Sequence, residues 1–452
     1  MTGRTPVDDR PEPTTTAADL RRALRRYRAD PRPLTARLSD LYGQALYVVI
    51  VGGLLVSAVN SGLERVATAG PPQAPDLLRW TVLTAALLAV ALLCRAAMAV
   101  GPVLVSPAAR TWLLSSPVDR KRLLAPRFAV LIAAAAVVGA VLGATVSLPS
   151  ALLGAPIGVL ITAALVEAQA SRRRTSRARA GITALIGCLA VFTAVLAAVP
   201  SLPWPPPVPI LLPAGAAFVL ATAATWHAHR MLARMTRSAL SDGAEVAAVT
   251  ATATTFLDPA LLSGTVVLRQ ARATGAVRSI RFSGGRRRAL LRADLLRHTR
   301  HPLGALVFLG LLPVPYLAGH LTAPPVVAVV QLGCLFLVAD RFARGLRLVS
   351  GSAALRRALG GSDPELRLLH LVLPATTALL WTLATPVVPA GHLALSAVGA
   401  VAAVYRGATK PPMAYDSPLL DTPMGTMPIG LIARLLRGPG LLVVVAVVHL
   451  SF

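Results

Sequence analysis

The sequence predicts an all-α polytopic membrane protein of about 11 transmembrane helices (10–12) in two parallel repeats, with a cytoplasmic N-terminus. Three observations predict it. Of 452 residues, 55% are hydrophobic and 14% charged, so polar surface is too scarce to cover a soluble fold of this size, and lipid must cover it. Apolar runs recur at or near the length a helix needs to cross hydrocarbon, about 20 residues. Arg and Lys alternate in density between successive connections, as they do when cytoplasmic loops retain them. The formal charge of +26 does not indicate nucleic-acid binding, because the basic residues come in short bursts between apolar runs and not on one continuous face.

Residues 1–40 read as a cytoplasmic tail. Its first part, 1–16, is rich in Pro, Thr and Asp and predicts disorder. From Asp19 a basic amphipathic helix follows, with Leu20, Leu24 and Tyr27 at i, i+4, i+7 among Arg21, Arg22, Arg25, Arg26 and Arg28. Pro31 and Pro33 break it, and Leu34, Leu38 and Leu41 resume the spacing. The tail is too long and polar to be a secretory signal peptide, so no cleavage is expected.

The first transmembrane unit, 41–228, carries six spans at 41–59, 80–100, 128–148, 152–168, 181–199 and 210–225. A cytoplasmic linker, 229–302, follows. The second unit, 303–452, carries five spans at 303–320, 325–338, 368–388, 391–405 and 441–452, and so is incomplete against the first. The run at 325–338 is marginal in length and that at 441–452 is short. With the N-terminus inside, the tail and every second connection hold 42 of the 45 Lys and Arg residues; the opposite side holds Arg65 and Arg79, and Arg95 sits within a span. A span missed or added in the first half would scramble that separation. The external connections, such as 200–209 (PSLPWPPPVP) and 322–325, are short and leave no room for an external catalytic domain. Cys94, Cys188 and Cys334 all fall inside spans, where thiols behave as small hydrophobes, and no structural disulfide is expected.

The centre of the linker, 244–270, is too broken to cross a membrane. It ends in RRRALLRADLLRHTRHP (286–302), a basic amphipathic helix leading into a span much as residues 20–41 lead into the first. The likeness extends further. Leu104-Val105-Ser106 after the second span finds Leu348-Val349-Ser350 after the eighth, and Arg122-Leu123-Leu124 finds Arg367-Leu368-Leu369 at nearly the same offset. Matching order and topological position predict a tandem, parallel repeat.

The polar interruption between the second and third spans, GPVLVSPAARTWLLSSPVDRKRLLAPRF (101–128), mixes Arg110, Arg120, Lys121, Arg122 and Arg127 with apolar side chains. That mixture suits a short helix at a membrane surface or a partner-docking loop. No phosphate-binding loop is present, since neither Lys121 nor Lys410 follows a Gly. The chain is therefore not expected to be an enzyme: it needs no cofactor of its own, and ATP would act through a partner.

Intramembrane ionisable residues are functional candidates by default. Arg95, Glu167 and Asp340 qualify, each in the cytoplasmic third of its span, and Arg95 and Glu167 are placed to pair. The histidines form no convincing set: His227 and His229 point to different faces, and His298 and His301 sit among arginines that repel a cation. No metal site is expected. The last cytoplasmic loop, 415–440, is punctuated by Pro and Gly and moderately apolar, which suits packing or a cytosolic partner.

The segment WLLSSPVDRKRLL (112–124) resembles the loop between the second and third spans of ABC-2 type exporter permeases. There a small-residue and Pro turn precedes charged residues and a Leu pair. In that family the loop includes a coupling helix that docks on an ATPase. The resemblance assigns ATPase coupling to Ser116, Pro117, Val118, Asp119, Arg120, Lys121 and Arg122, and makes the basic amphipathic helices similar to the family's elbow helices. The whole chain resembles permease-like proteins of high-GC bacteria that fuse two such units, and DTPMG (421–425) resembles their C-terminal loop. The implied protein is a multi-pass permease of the cytoplasmic membrane with a cytosolic ABC ATPase subunit, the lipid bilayer and no nucleic acid as partners. Whether one chain or a homo- or hetero-oligomer forms the pathway stays open. The second coupling-loop candidate, GGSDPELRLL (360–369), departs from the first in being acidic at Asp363 and Glu365, flanking Pro364. Only one half is thus expected to engage an ATPase in the usual way. Two alternatives stand beside this. One is a secondary transporter of the major facilitator type, whose basic loop Asp119-Arg120-Lys121-Arg122 imitates but whose helix-packing glycines are absent. The other is a non-transporting membrane scaffold or regulatory subunit.

Overall fold

A computed structural model describes residues 74–103, 120–147, 149–204, 211–236, 240, 284–300, 303–409, 419–422, 425–428, 437 and 439–451. The first half of the described chain forms α1 (Ala74–Val100), α2 (Arg120–Val146), α3 (Ser150–Gln169), α4 (Arg172–Ala198) and α5 (Leu211–Met231). After the linker come α6 (Arg286–Arg300), α7 (Leu303–Leu311), α8 (Pro313–Leu321), α9 (Pro324–Phe342), α10 (Arg344–Gly351), α11 (Ala353–Leu359), α12 (Asp363–Ala384) and α13 (Ala390–Ala408). A hairpin of β1 (Leu419–Thr422) and β2 (Gly425–Pro428) precedes α14 (Pro439–Ser451).

Eight helical segments among the described residues are long and apolar enough to cross a membrane: Pro75–Ala99, Lys121–Ala144, Ser150–Gln169, Arg173–Ala198, Leu211–Arg234, Gly304–Leu321, Pro324–Phe342 and Asp363–Ala384. The chain is a multi-pass helical membrane protein. These segments overlap the apolar runs from 80–100 to 368–388. The run at 41–59 and the tail before it lie outside the described residues. That at 391–405 lies in α13, and that at 441–452 overlaps α14, a shorter apolar helix.

Helix bounds follow local chemistry. Pro313 opens α8 and separates it from α7, and Pro324 and Pro325 open α9, because proline fits a first turn but has no N–H for the interior of a helix. At the start of α12, Ser362 accepts the Glu365 N–H at 3.4 Å, and Glu365 stands three residues on, as in a capping box. Gly360, at φ 69, closes α11 in a positive-φ conformation that glycine adopts without a Cβ penalty. The hairpin is the departure from an all-α fold among the described residues, pairing Leu419 with Pro428 and Thr422 with Gly425 in antiparallel register.

The described residues fall into two compact units. The first holds those within Leu93–Ala180 and Val208–Ala247; the second holds those within Ser61–Leu92, Gly181–Pro207 and Ala248–Phe452. In the first unit, α2 and α3 form a hairpin whose backbones touch. A Cβ on Gly139 would overlap the Gly154 carbonyl oxygen, one on Gly154 the Gly139 oxygen, and one on Gly143 the Ser150 oxygen. Glycines at i, i+4 on both helices permit this approach, and in lipid such close packing replaces the hydrophobic drive that water would supply. Val103, Leu124, Phe128, Ala163, Val166, Ala228, Leu232, Met235 and Leu240 form the core beside it.

The second unit is built around α9, against which α7, α8, α12, α13 and α14 pack. Its core includes Leu332, Leu335, Val338, Ala378, Val404 and the fully buried Trp381. The Trp381 indole N–H donates to the Phe308 carbonyl at 3.3 Å, so the ring is buried without an orphaned donor. Gln331, also fully buried, donates to the Thr385 carbonyl at 3.0 Å.

Gly139→Val or Gly154→Val should lower the stability of the purified protein by about 1–3 kcal/mol through forced separation of α2 and α3. Gly187→Ala, where a Cβ meets nothing within 4 Å, should leave stability unchanged or slightly raised. Thermal unfolding in one detergent decides between them, and equal melting of all the variants would remove the glycine contact from this account.

Candidate functional site

The basic loop singled out in the sequence springs from a fixed base. Gly101, at φ 90, ends α1 and turns the chain. Two residues on, the Gln169 side chain grips Val103 at both backbone groups: its Oε1 accepts the Val103 N–H at 3.0 Å and its Nε2 donates to the Val103 carbonyl at 3.1 Å. Gln169 is buried, and so this clamp works where water competes least. Arg179 adds a bond from Nη2 to the Met98 carbonyl at 2.9 Å, satisfying one of the carbonyls left open at the end of α1. On the far side of the loop, Leu124 and Phe128 of α2 enter the same core as Val103. Both ends of the segment 104–119 are thereby held by one cluster. Ser116, Pro117, Val118 and Asp119 lie outside the described residues. Arg120 begins α2, Lys121 is half-buried and Arg122 is exposed.

The intramembrane candidates sit at helix ends. Arg95 is half-buried in the last third of α1. The Glu167 carboxylate pairs with Arg174 on α4, and His227 Nε2 of α5 lies 3.6 Å from it. Asp340 pairs with Arg347 at 2.7 Å.

The second loop candidate is bound by its own unit. Glu365 takes Arg287 at 2.8 Å and Arg286 at 3.7 Å, both from α6, while Arg286 also donates to the Gly360 carbonyl at 2.6 Å. Asp363 pairs with Arg356 at 2.8 Å, and Pro364 occupies the first turn of α12 beside them. The acidity that distinguishes this loop holds the basic helix α6 in place.

Further along α6 lies a polar centre that sequence spacing does not disclose. Asp294 is only 1% exposed. Arg297 Nη1 lies 3.1 Å from its Oδ1, and His370 Nδ1, from α12, donates to its Oδ2 at 3.2 Å. Gly345 of α10 leaves room for the carboxylate, which any Cβ there would strike. His298 stacks on Phe342, ring centroids 4.8 Å apart. Burial pushes the His298 imidazole below its ordinary value; Asp294 opposes that shift, and Arg344 and Arg297 add to it. Asp294 and His298 occupy one face of α6 at i, i+4, but His370 comes from 76 residues away. Only a signal linking α6 to α12 could have found it. A third polar chain ties α13 to α14: His392 Nδ1 and His449 Nδ1 are 2.8 Å apart, and Ser396 Oγ lies 2.9 Å from His449 Nε2. Among the described residues no group of three or more His, Cys, Asp or Glu side chains could hold a metal ion.

These features define a polytopic helical membrane protein whose strongest polar contacts gather at helix ends and corners. The chain belongs to a family of unknown function, DUF6297, whose model matches residues 71–418. No curated protein and no solved structure matches it.

Removing the buried acid leaves the His370 Nδ1 and the Arg297 guanidinium without their shared acceptor, so Asp294→Ala should cost about 1–3 kcal/mol and speed amide exchange across α6. Unchanged protection of α6 would show that the carboxylate does not secure it. His298 titrates with a defined sign. Because its folded value is depressed, the unfolded chain binds the extra proton first, and the His298 contribution is whole above about pH 6.5 and shrinks as pH falls below that. Melting temperatures of wild type and His298→Gln should therefore diverge between pH 7.5 and pH 5.5, the wild type falling more. Parallel curves would exclude the imidazole as the source.

Proposed function

We propose that the chain is the membrane-spanning permease subunit of an ABC-type exporter, coupling ATP hydrolysis by a separate cytosolic ATPase to substrate movement across the cytoplasmic membrane. In this reading about eleven spans form two parallel repeats with the N-terminus inside, and the loop 104–119 with the first turn of α2 is the ATPase dock. The observation that carries it is the clamped base of that loop. A connector passes motion from a partner to membrane helices only if its ends are fixed to elements that move as a body. Val103 gripped by Gln169 and Leu124 packed in the same core meet that requirement.

The charge distribution supports the same side for the dock. Within 101–128 five residues are basic and Asp119 alone is acidic, whereas Asp363 and Glu365 of the second loop are engaged by Arg356, Arg286 and Arg287. Docking is therefore assigned to Ser116–Arg122 alone.

The test is retention of a soluble ATPase on the full-length protein in detergent. Asp119→Ala combined with Arg120→Ala should weaken it by about 2 kcal/mol or more, roughly thirtyfold in Kd, with the melting temperature unchanged. Retained binding by the double variant would displace the dock, and absence of any ATPase from pull-downs with the wild type would reject the exporter assignment.

A further inference from the structure

The corner where α9 passes into α10 carries more positive charge than it neutralises. Arg341 lies in the last turn of α9, Arg344 opens α10, Arg347 follows one turn on, and Arg297 approaches from α6. Asp340 takes Arg347 at 2.7 Å and Asp294 takes Arg297 at 3.1 Å. Among the described residues Arg341 and Arg344 have no acidic partner. Arg344 is half-buried. Burial, and then repulsion from Arg341, Arg347 and Arg297, push its guanidinium below the ordinary arginine value. It remains charged at neutral pH, since arginine starts so far above it. A partly desolvated cation held among like charges is stabilised when an anion completes the arrangement.

What surrounds the corner says which anion. Leu337 precedes Arg341 by one turn on the same face of α9, and Leu348 follows Arg344 by one turn on α10; both are exposed. Gly304 of α7 packs against the Phe342 ring, so α7 leaves from the same corner, and its Leu306 and Leu309 are exposed as well. α7 and α9 belong to segments apolar enough to cross the membrane. Exposed leucines thus stand one turn from each arginine, Leu337 beside Arg341 and Leu348 beside Arg344, and the exposed leucines of α7 leave from the same corner. Acyl chains fit these leucines, and a phosphate fits the arginines, whose planar forks match its oxygens in pairs.

We propose that the α6–α9–α10 corner binds the phosphate of an anionic phospholipid, with Arg341 and Arg344 as its ligands and the exposed leucines of α7 and α9 along its chains. The site is independent of the exporter reading, since it needs only a membrane and an anionic lipid. Its role is to seat this unit at the depth where the helices leave hydrocarbon.

The test uses the full-length protein carrying phosphatidylglycerol and phosphatidylcholine in equal amounts, with retained lipid counted by native mass spectrometry. The wild type should keep phosphatidylglycerol preferentially. Arg341→Gln with Arg344→Gln should reduce that preference roughly twentyfold, while Arg288→Gln, an exposed arginine on α6, should leave it unchanged. Equal preference in the double variant and the wild type overturns the site. Displacement of the lipid by millimolar inorganic phosphate also overturns it, because the corner would then be a free-anion site. Should the double variant not fold, a photoreactive phosphatidylglycerol on the wild type decides: label on the peptide spanning Arg341 to Leu348 supports the site, and label confined to other segments overturns it.

Discussion

Hydrocarbon offers no hydrogen bonds, and this single constraint shapes the molecule. Backbone donors and acceptors at membrane depth must be satisfied within helices, so the chain crosses as helices and keeps ion pairs such as Glu167–Arg174 and Asp340–Arg347 at their ends. Between helices the same medium removes the hydrophobic reward for association. What remains is close contact, which is why Gly139, Gly143, Gly154 and Gly158 bring α2 and α3 together backbone against backbone. Water-based folds seldom need so bare an interface.

The helix ends are fastened by few side chains, each satisfying groups that the helix leaves open. Gln169 serves both backbone groups of Val103, and Arg179 serves the carbonyl of Met98. Asp294 does for α6 what Gln169 does for α1, but with charge: it joins α6 to α12 through His370 and lies against α10 at Gly345. Neutral amides suffice where one loop must be tethered. A carboxylate is used where a helix rich in arginine must be held, since a neutral partner could not offset that many like charges.

The apolar runs from 80–100 to 368–388 were legible because apolar length is a property of a single segment. Helix starts were less so. α1 begins at Ala74 and not at Trp80, with Asp76 accepting the Trp204 N–H at 3.2 Å and Trp80 donating to the Pro203 carbonyl at 3.3 Å. α2 begins at Arg120 and α4 at Arg172, ahead of 128 and 181, because hydropathy reports where a helix meets lipid and not where it forms. The acids of the second loop were legible as a departure from the first, yet the pairing of Glu365 with Arg286 and Arg287 was not, the partners lying 78 residues apart for Arg287. His370 was invisible for the same reason: nothing in its own helix period marks it as the partner of Asp294.

Acid, not base, is the scarce component here. With 45 Lys and Arg against 19 Asp and Glu, most arginines cannot have a carboxylate of their own, and the placement of acids decides which basic elements are tied down. At Asp294, Asp363 and Glu365 the carboxylates engage Arg297, Arg356 and Arg287 within the chain. Where acids are outnumbered, in 101–128 and around Arg341 and Arg344, the net charge of the segment is positive. A protein that keeps such surplus at helix ends gains from anions outside itself, whether on a partner or on a lipid. At Arg341 and Arg344, where the described residues supply no carboxylate, an anion outside the chain completes the arrangement, and that is the contact assigned to them.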